Sequence, residues 1–193
     1  QRRVSCPVTV KCRLGVTGHR DTYENLVEFI TEAHSGGAKK FIIHCRDCVL
    51  EGFTTKQNRE IPPLRYNEIK RLRETFPDLE FVLNGGVKSL EEVKHHLYQD
   101  DESAAPHGVM IGRAIMNNPL LLCNADTDIF GCKSNPGLSR REIIEEYGKY
   151  CDLMQDRMDS GTLKDSQNFH KSIESVRNSF RRTLLCAAGD VFH

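Results

Sequence analysis

Four short stretches of this 193-residue chain end in residues able to do chemistry. Lys11 and Arg13 close "PVTVKCRL", and His44 and Arg46 close "KFIIHCR". Asn84-Gly85-Gly86 closes "EFVLNGG", and Gly112-Arg113 closes "GVMIGR". A glycine pair lets backbone N–H groups approach an anion with no Cβ in the way. A helix opening at Ser89 would present its positive end close by. Gly112 and Arg113 add further bare backbone and a fixed planar cation. Together these predict a phosphate site between the third and fourth stretches. Lys11 and His44 would stand beside it and suit a planar cofactor with acceptor atoms at its edge. A lysine there can stabilise the negative charge that a reduced flavin carries near N1. Taken singly, each residue is ordinary: a lysine at a strand end is most often a solvated charge, and Gly-Gly most often a turn. The recurrence of polar ends on successive stretches carries the reading.

Each of those ends needs a rigid element behind it. Val8, Val10 and Cys12 alternate with Thr9, Lys11 and Arg13 over residues 7–14, the period of a strand. Asp21 with Glu24 reads as a capping box, opening a helix with the apolar stripe Leu26, Val27, Ile30 and Ala33. Gly36 and Gly37 end it. The unit then repeats: an apolar strand to His44, a long loop "GFTTKQNREIPPL", and a helix over 66–76 carrying Ile69, Leu72 and Phe76. The third strand ends at Asn84, and Ser89 with Glu92 is a second capping box. "GVMIGR" is the fourth strand, with a helix over 114–118. Strands alternating with helices predict a parallel α/β sheet with its site at the carboxyl ends of the strands, as in a barrel.

After Pro119 the pattern changes. Residues 123–138 read as loop, and Ser139 with Glu142 is a third capping box. Ile143, Ile144, Tyr147, Cys151 and Met154 line one helix face; Phe169, Ile173, Val176, Phe180 and Leu184 line another. The expected organisation is a barrel portion over 1–120 and a small helical domain over 121–193. Residues 164–182 carry Lys164, Lys171, Arg177, Arg181 and Arg182 against Asp165 and Glu174, a net +3. His170, Arg177 and Arg181 flank the stripe at helical spacing, either as an RNA-facing surface or as a solvated helix face.

Whole-chain composition is less specific. The 27 basic and 27 acidic residues balance, so net charge gives no argument for nucleic acid. No apolar run approaches the length of a transmembrane helix. The sequence starts at Gln1, with a strand almost at once, and is expected to be a piece of something longer. Eight cysteines at irregular spacing point to a reducing compartment rather than a disulfide framework. Cys45 and Cys48 form a C-x-x-C. Without a second such pair it reads as two small buried or half-buried thiols rather than a redox pair or half a zinc site.

The stretches "PVTVKCRLG", "FIIHCR", "NREIPPL", "NGGVKSLEEV" and "GVMIGRAIMNNP", in that order, closely resemble the flavin-dependent tRNA-dihydrouridine synthases. The "TTKQNREIPPL" loop is similar to the A-type branch. The motif-level resemblance covers about residues 4–120. It implies the second half, strands five to eight, of a (β/α)₈ TIM barrel, followed by a helical tRNA-binding domain. It implies FMN as cofactor, NADPH as reductant, and reduction of the C5–C6 bond of uridines in the tRNA D-loop by a monomeric protein of the cytoplasm or an organelle. By matching positions, Lys11 and His44 would contact FMN, and Asn84, Gly85, Gly86, Gly112 and Arg113 its phosphate side. Arg46, Lys56 and Arg59, with Arg177 and Arg181 in the tail, would face tRNA.

One departure stands out. The family's proton-donating cysteine sits in an N-x-G-C-P motif, and no such motif occurs in these 193 residues. The catalytic residue is therefore expected upstream of Gln1, and the chain alone is expected to be inactive. Two other functions fit part of the pattern: another FMN barrel acting on a small molecule, and a non-catalytic RNA-binding remnant.

Overall fold

A computed structural model describes residues 4–18, 22–99 and 105–160. Its contacts divide the chain into two compact units, Gln1–Gly112 and Arg113–His193. The first is built on four parallel strands in sequence order: β1 (Val10–Arg13), β2 (Lys40–His44), β3 (Glu80–Asn84) and β4 (Gly108–Met110). Between them run α1 (Thr22–Ser35), the short α2 (Gln57–Glu60), α3 (Asn67–Thr75) and α4 (Leu90–Leu97). The α/β alternation and parallel pairing expected from the sequence are present, and they fit part of a barrel.

Period-two patterning decides which sheet face is covered. Phe41, Ile43 and Cys45 are fully buried, whereas Ile42 and His44 between them are half-buried. On β3, Phe81 and Leu83 are buried on the same side as Phe41 and Ile43. The Phe41 and Phe81 rings lie 6.0 Å apart, centroid to centroid. α3 packs against β3 and contributes Ile69 and Leu72; α4 packs against β4 and contributes Leu90 and Val93. α1 adds Leu26 and Ile30. Each such fully buried side chain is worth about 1.5–3 kcal/mol. Tyr23 ties α1 to α3, since its hydroxyl meets that of Thr75 at 2.8 Å and Arg71 lies over its ring.

Helix ends follow the sequence signals where they are described. Ser89 accepts from Glu92 N–H, and the Glu92 carboxylate accepts from Lys88 N–H, one residue before the expected return partner. After α1, Gly37 takes φ +103° and Ala38 N–H reaches back to Ala33, a left-handed cap. Asp21 lies outside the described residues.

Three expectations shift. β1 is shorter than residues 7–14: only Val10–Arg13 pairs, in register with Phe41–His44 of β2. The loop after β2 contains α2, opened by Thr54 and Gln57, which bond reciprocally as a capping box. The 123–138 stretch holds a short helix over Ala125–Asp128.

The second unit is helical over its described residues. It contains α5 (Arg113–Asn117), a 3₁₀ turn (Pro119–Leu122), α6 (Ala125–Asp128) and α7 (Arg140–Asp159). Asn135 closes the intervening loop through Thr127 and Asn124. The Ser139–Glu142 box forms fully, with the Glu142 carboxylate accepting from both donors of Ser139. On α7 the half-buried positions include Ile143, Ile144, Tyr147, Cys151 and Met154, the stripe read from the sequence. The second stripe, Phe169 to Leu184, and the flanking His170, Arg177 and Arg181 lie outside the described residues. No helix among the described residues is long and apolar enough to cross a membrane.

Candidate cofactor and substrate site

The strand register assembles the site. Arg13 pairs with His44, His44 with Asn84 and Asn84 with Met110, forming one row across the sheet. One pleat earlier run Lys11, Ile42, Val82 and Gly108. Side chains alternate along a strand, so both rows face away from the helix-covered side that holds Phe41, Ile43 and Cys45. Lys11, His44 and Asn84 thus share one sheet face near the carboxyl ends. Lys11 is exposed, while His44 and Asn84 are half-buried. The Asn84 amide is oriented by a 2.9 Å bond to the carbonyl of Met110.

Gly85 and Gly86 follow directly, at φ +119° and +78°. Their lack of side chains has a cause within the protein that the sequence did not reveal. A Cβ on Gly85 would stand 2.8 Å from the His44 ring and 3.0 Å from Leu64. One on Gly86 would stand 2.6 Å from Leu64 and 2.9 Å from the Tyr66 hydroxyl. Tyr66 donates to the carbonyl of Gly85 at 2.6 Å. The last residues of "NREIPPLRY" therefore pack onto the glycine turn. Burial pushes the Tyr66 hydroxyl pKa above its ordinary value, which keeps the donor protonated. Its ring meets His96 of α4 edge-on, 4.6 Å between centroids. Gly112, beyond β4, is exposed with open space around its α-carbon. Arg113 opens α5 in the second unit.

The loop between β2 and α3 is tied down at its base. Arg13 Nη1 donates to the carbonyls of Asp47 at 2.7 Å and Asn58 at 2.9 Å. Arg13, grouped by sequence with the chemistry-bearing ends, is thus a clamp on the loop. Asn58 bonds Val49 through both ends of its amide, and Arg65 pairs with Asp47 at 2.7 Å. Val16 and Cys48 form a parallel bridge beyond the two strands. Lys56 and Arg59 are exposed on this loop, and Arg46 at its start is half-buried. Arg177 and Arg181 lie outside the described residues. Sequence reading missed Arg13 as a clamp; it met Asn58 and Leu64 only within the "NREIPPL" motif and Tyr66 only as a helix start, and gave none of them a structural role. The T-x-x-Q spacing of Thr54 and Gln57, which sequence reading also missed, is a local signal for order in this loop.

The thiols stand apart from this chemistry. Cys12 pairs with Ile43 on the helix-facing side, and Cys45 is buried there. Burial pushes Cys12 up to about 11 and Cys45 up to about 12. All seven described cysteines are free, Cys45 and Cys48 included. Among the described residues no cluster of three or more His, Cys, Asp or Glu could hold a metal.

A family model described as dihydrouridine synthase (Dus) matches residues 1–185. The chain belongs to the dihydrouridine synthase family. Its match extends through the helical segment, beyond the five motifs. A relative from Pseudomonas putida, named tRNA-dihydrouridine(20/20a) synthase, is 45% identical over 147 residues, covering 76% of this chain and 41% of that protein. Relatives of the same name from Vibrio cholerae and Synechocystis sp. are 46% and 42% identical over 148 and 150 residues. They cover 76% and 78% of this chain, and 43% and 42% of their own lengths. The matched stretch therefore spans less than half the length of these family members, whose names agree with the A-type character of the loop.

Proposed function

We propose that these residues form the strand-five-to-eight half of an FMN-binding barrel, with a helical tRNA-binding domain, in a protein that reduces uridine to dihydrouridine in the tRNA D-loop. The observation that carries this is the polar face of Lys11, His44 and Asn84 running into Gly85-Gly86, in a chain that the family model covers over residues 1–185. The donor set fits FMN, with a cation, an imidazole and an oriented amide on one face, and a glycine turn at its end. FMN, recharged by NADPH, would supply the hydride that no side chain here can supply.

The chain's own residues have separate tasks. The ammonium of Lys11 favours negative charge at the edge of the bound ring system. His44 limits how that ring can lie, and Asn84, Gly85, Gly86, Gly112 and Arg113 serve its phosphate side. Lys56 and Arg59 meet tRNA phosphates from the loop, with Arg46 at its base and Arg177 and Arg181 in the tail. The target base must leave its stack to reach the site.

The proton for uracil C5 is assigned to a cysteine outside this sequence. Cys12 and Cys45 suit the role poorly, since they lie on the helix-facing side of the sheet with raised pKa values. The test is to purify the protein that carries this chain, record its flavin absorbance, and supply NADPH with tRNA lacking dihydrouridine. Dihydrouridine should appear in the D-loop. Flavin-free protein that leaves tRNA unchanged would refute the reading.

A further inference from the structure

We infer that Asn58 is a positioning residue, which with Arg13 behind it sets the loop carrying Lys56 and Arg59 before RNA arrives. The inference rests on the reading that those two cations meet tRNA, and it names what holds them in place. Residues 45–66 connect β2 to α3, a long connection whose only regular element is the four-residue α2. Connections of that length are ordinarily either functional or loose.

Here one turn of helix sorts the side chains. Lys56 and Arg59 are three apart and share a face, whereas Asn58 falls on the other side. Burial agrees, because both cations are exposed and Asn58 is half-buried. Asn58 accepts from Val49 N–H at 2.8 Å and donates to the Val49 carbonyl at 2.6 Å. Its own carbonyl receives Arg13 at 2.9 Å, and the same Nη1 reaches Asp47 at 2.7 Å. Asp47 in turn holds Arg65 at the far end of the loop. One asparagine thus joins the two limbs of the loop to each other and to β1. An untied loop would have to be ordered by the RNA, at a cost of affinity. A tied loop presents both cations in place.

The test is a cycle of variants in the protein that carries this chain, titrated with unmodified tRNA transcript over a range of salt. Asn58→Ala should weaken tRNA binding roughly three- to tenfold, the scale of ordering a few side chains on binding. It should also lower the slope of log affinity against log salt by about 1 to 2, as two phosphate contacts lose their geometry. Flavin affinity should stay the same. Lys56→Ala with Arg59→Ala should cost much less in the Asn58→Ala background than alone. An Asn58→Ala protein with unchanged tRNA affinity and salt slope would overturn the inference, and so would strict additivity in the cycle. If Lys56→Ala with Arg59→Ala alone changes nothing, the tRNA-loop reading fails, and the positioning role falls with it. Should Asn58→Ala not fold, Asn58→Ser carries the same cycle, because the shorter hydroxyl cannot span both Val49 groups.

Discussion

Tyr66 donates its hydroxyl proton to the carbonyl of Gly85 at 2.6 Å, joining the end of the long loop to the glycine turn beyond β3. The two residues are nineteen positions apart, and the bond fixes a carbonyl in a stretch with positive φ. Tyr66→Phe keeps the ring against His96 and removes only this donor. The expected loss is about 0.5–1.5 kcal/mol of stability, the usual net worth of one such bond. Denaturant titration of the two proteins measures it; coincident midpoints with equal slopes would show that the bond contributes nothing.

Gly85→Ala and Gly86→Ala should both be more damaging than that. Each puts a side chain at positive φ, and each new Cβ falls within 3.0 Å of two neighbours. At Gly85 one neighbour is the ring of His44, whose position is fixed by a parallel strand on either side. At Gly86 the closest neighbours are Leu64 and the Tyr66 hydroxyl, both at the loop's end. Gly85→Ala is expected to cost about 1–3 kcal/mol and to displace His44. Gly86→Ala should mainly loosen the loop. Melting temperature together with the His44 ring signals in NMR separates the two effects.

The cysteines should divide sharply by reactivity. Alkylation needs a thiolate and access. Cys6, Cys123 and Cys132 are exposed, whereas Cys45 is fully buried and its pKa is pushed up to about 12. Iodoacetamide at pH 8, followed by peptide mass analysis, should label the three exposed thiols early and Cys45 only on unfolding. Cys12, raised to about 11, should lag as well. Early labelling of Cys45 in folded protein would contradict its place under the sheet.

These features differ in how far the sequence showed them. The apolar runs Phe41-Ile42-Ile43 and Phe81-Val82-Leu83 announced β2 and β3, because such a run is a property of each strand alone. Ser89–Glu92 and Ser139–Glu142 announced two helix starts, because a cap is made within four residues. Lys11, His44 and Asn84 could be named as strand ends, but their shared sheet face follows from register, which no single strand carries. The contacts of Leu64 and Tyr66 with Gly85 and Gly86 were illegible, since nothing local to either stretch specifies the other. Arg13 was misread for the same reason, as its partners Asp47 and Asn58 lie 34 and 45 residues away.

Histidines should make the first unit less stable in mild acid. His96 is buried on α4 against the Tyr66 ring, with His95 and Glu92 also beside it. Burial chiefly, and then His95, lower its pKa below the ordinary 6.5. The sign follows from proton counts. Between the lowered folded value and 6.5 the unfolded chain binds more protons, so stability falls as pH falls through that window. Above the unfolded value the contribution is complete. His107 acts in the same direction, lowered by desolvation first and by the Arg73 cation second. Its Nδ1 accepts the N–H of Phe81 at 3.1 Å, and a protonated ring could not accept there. The expected result is a melting temperature that declines from pH 7 towards pH 5, with a shallower decline in His96→Gln. An identical pH profile in that variant would mean that His96 keeps its ordinary pKa in the folded protein.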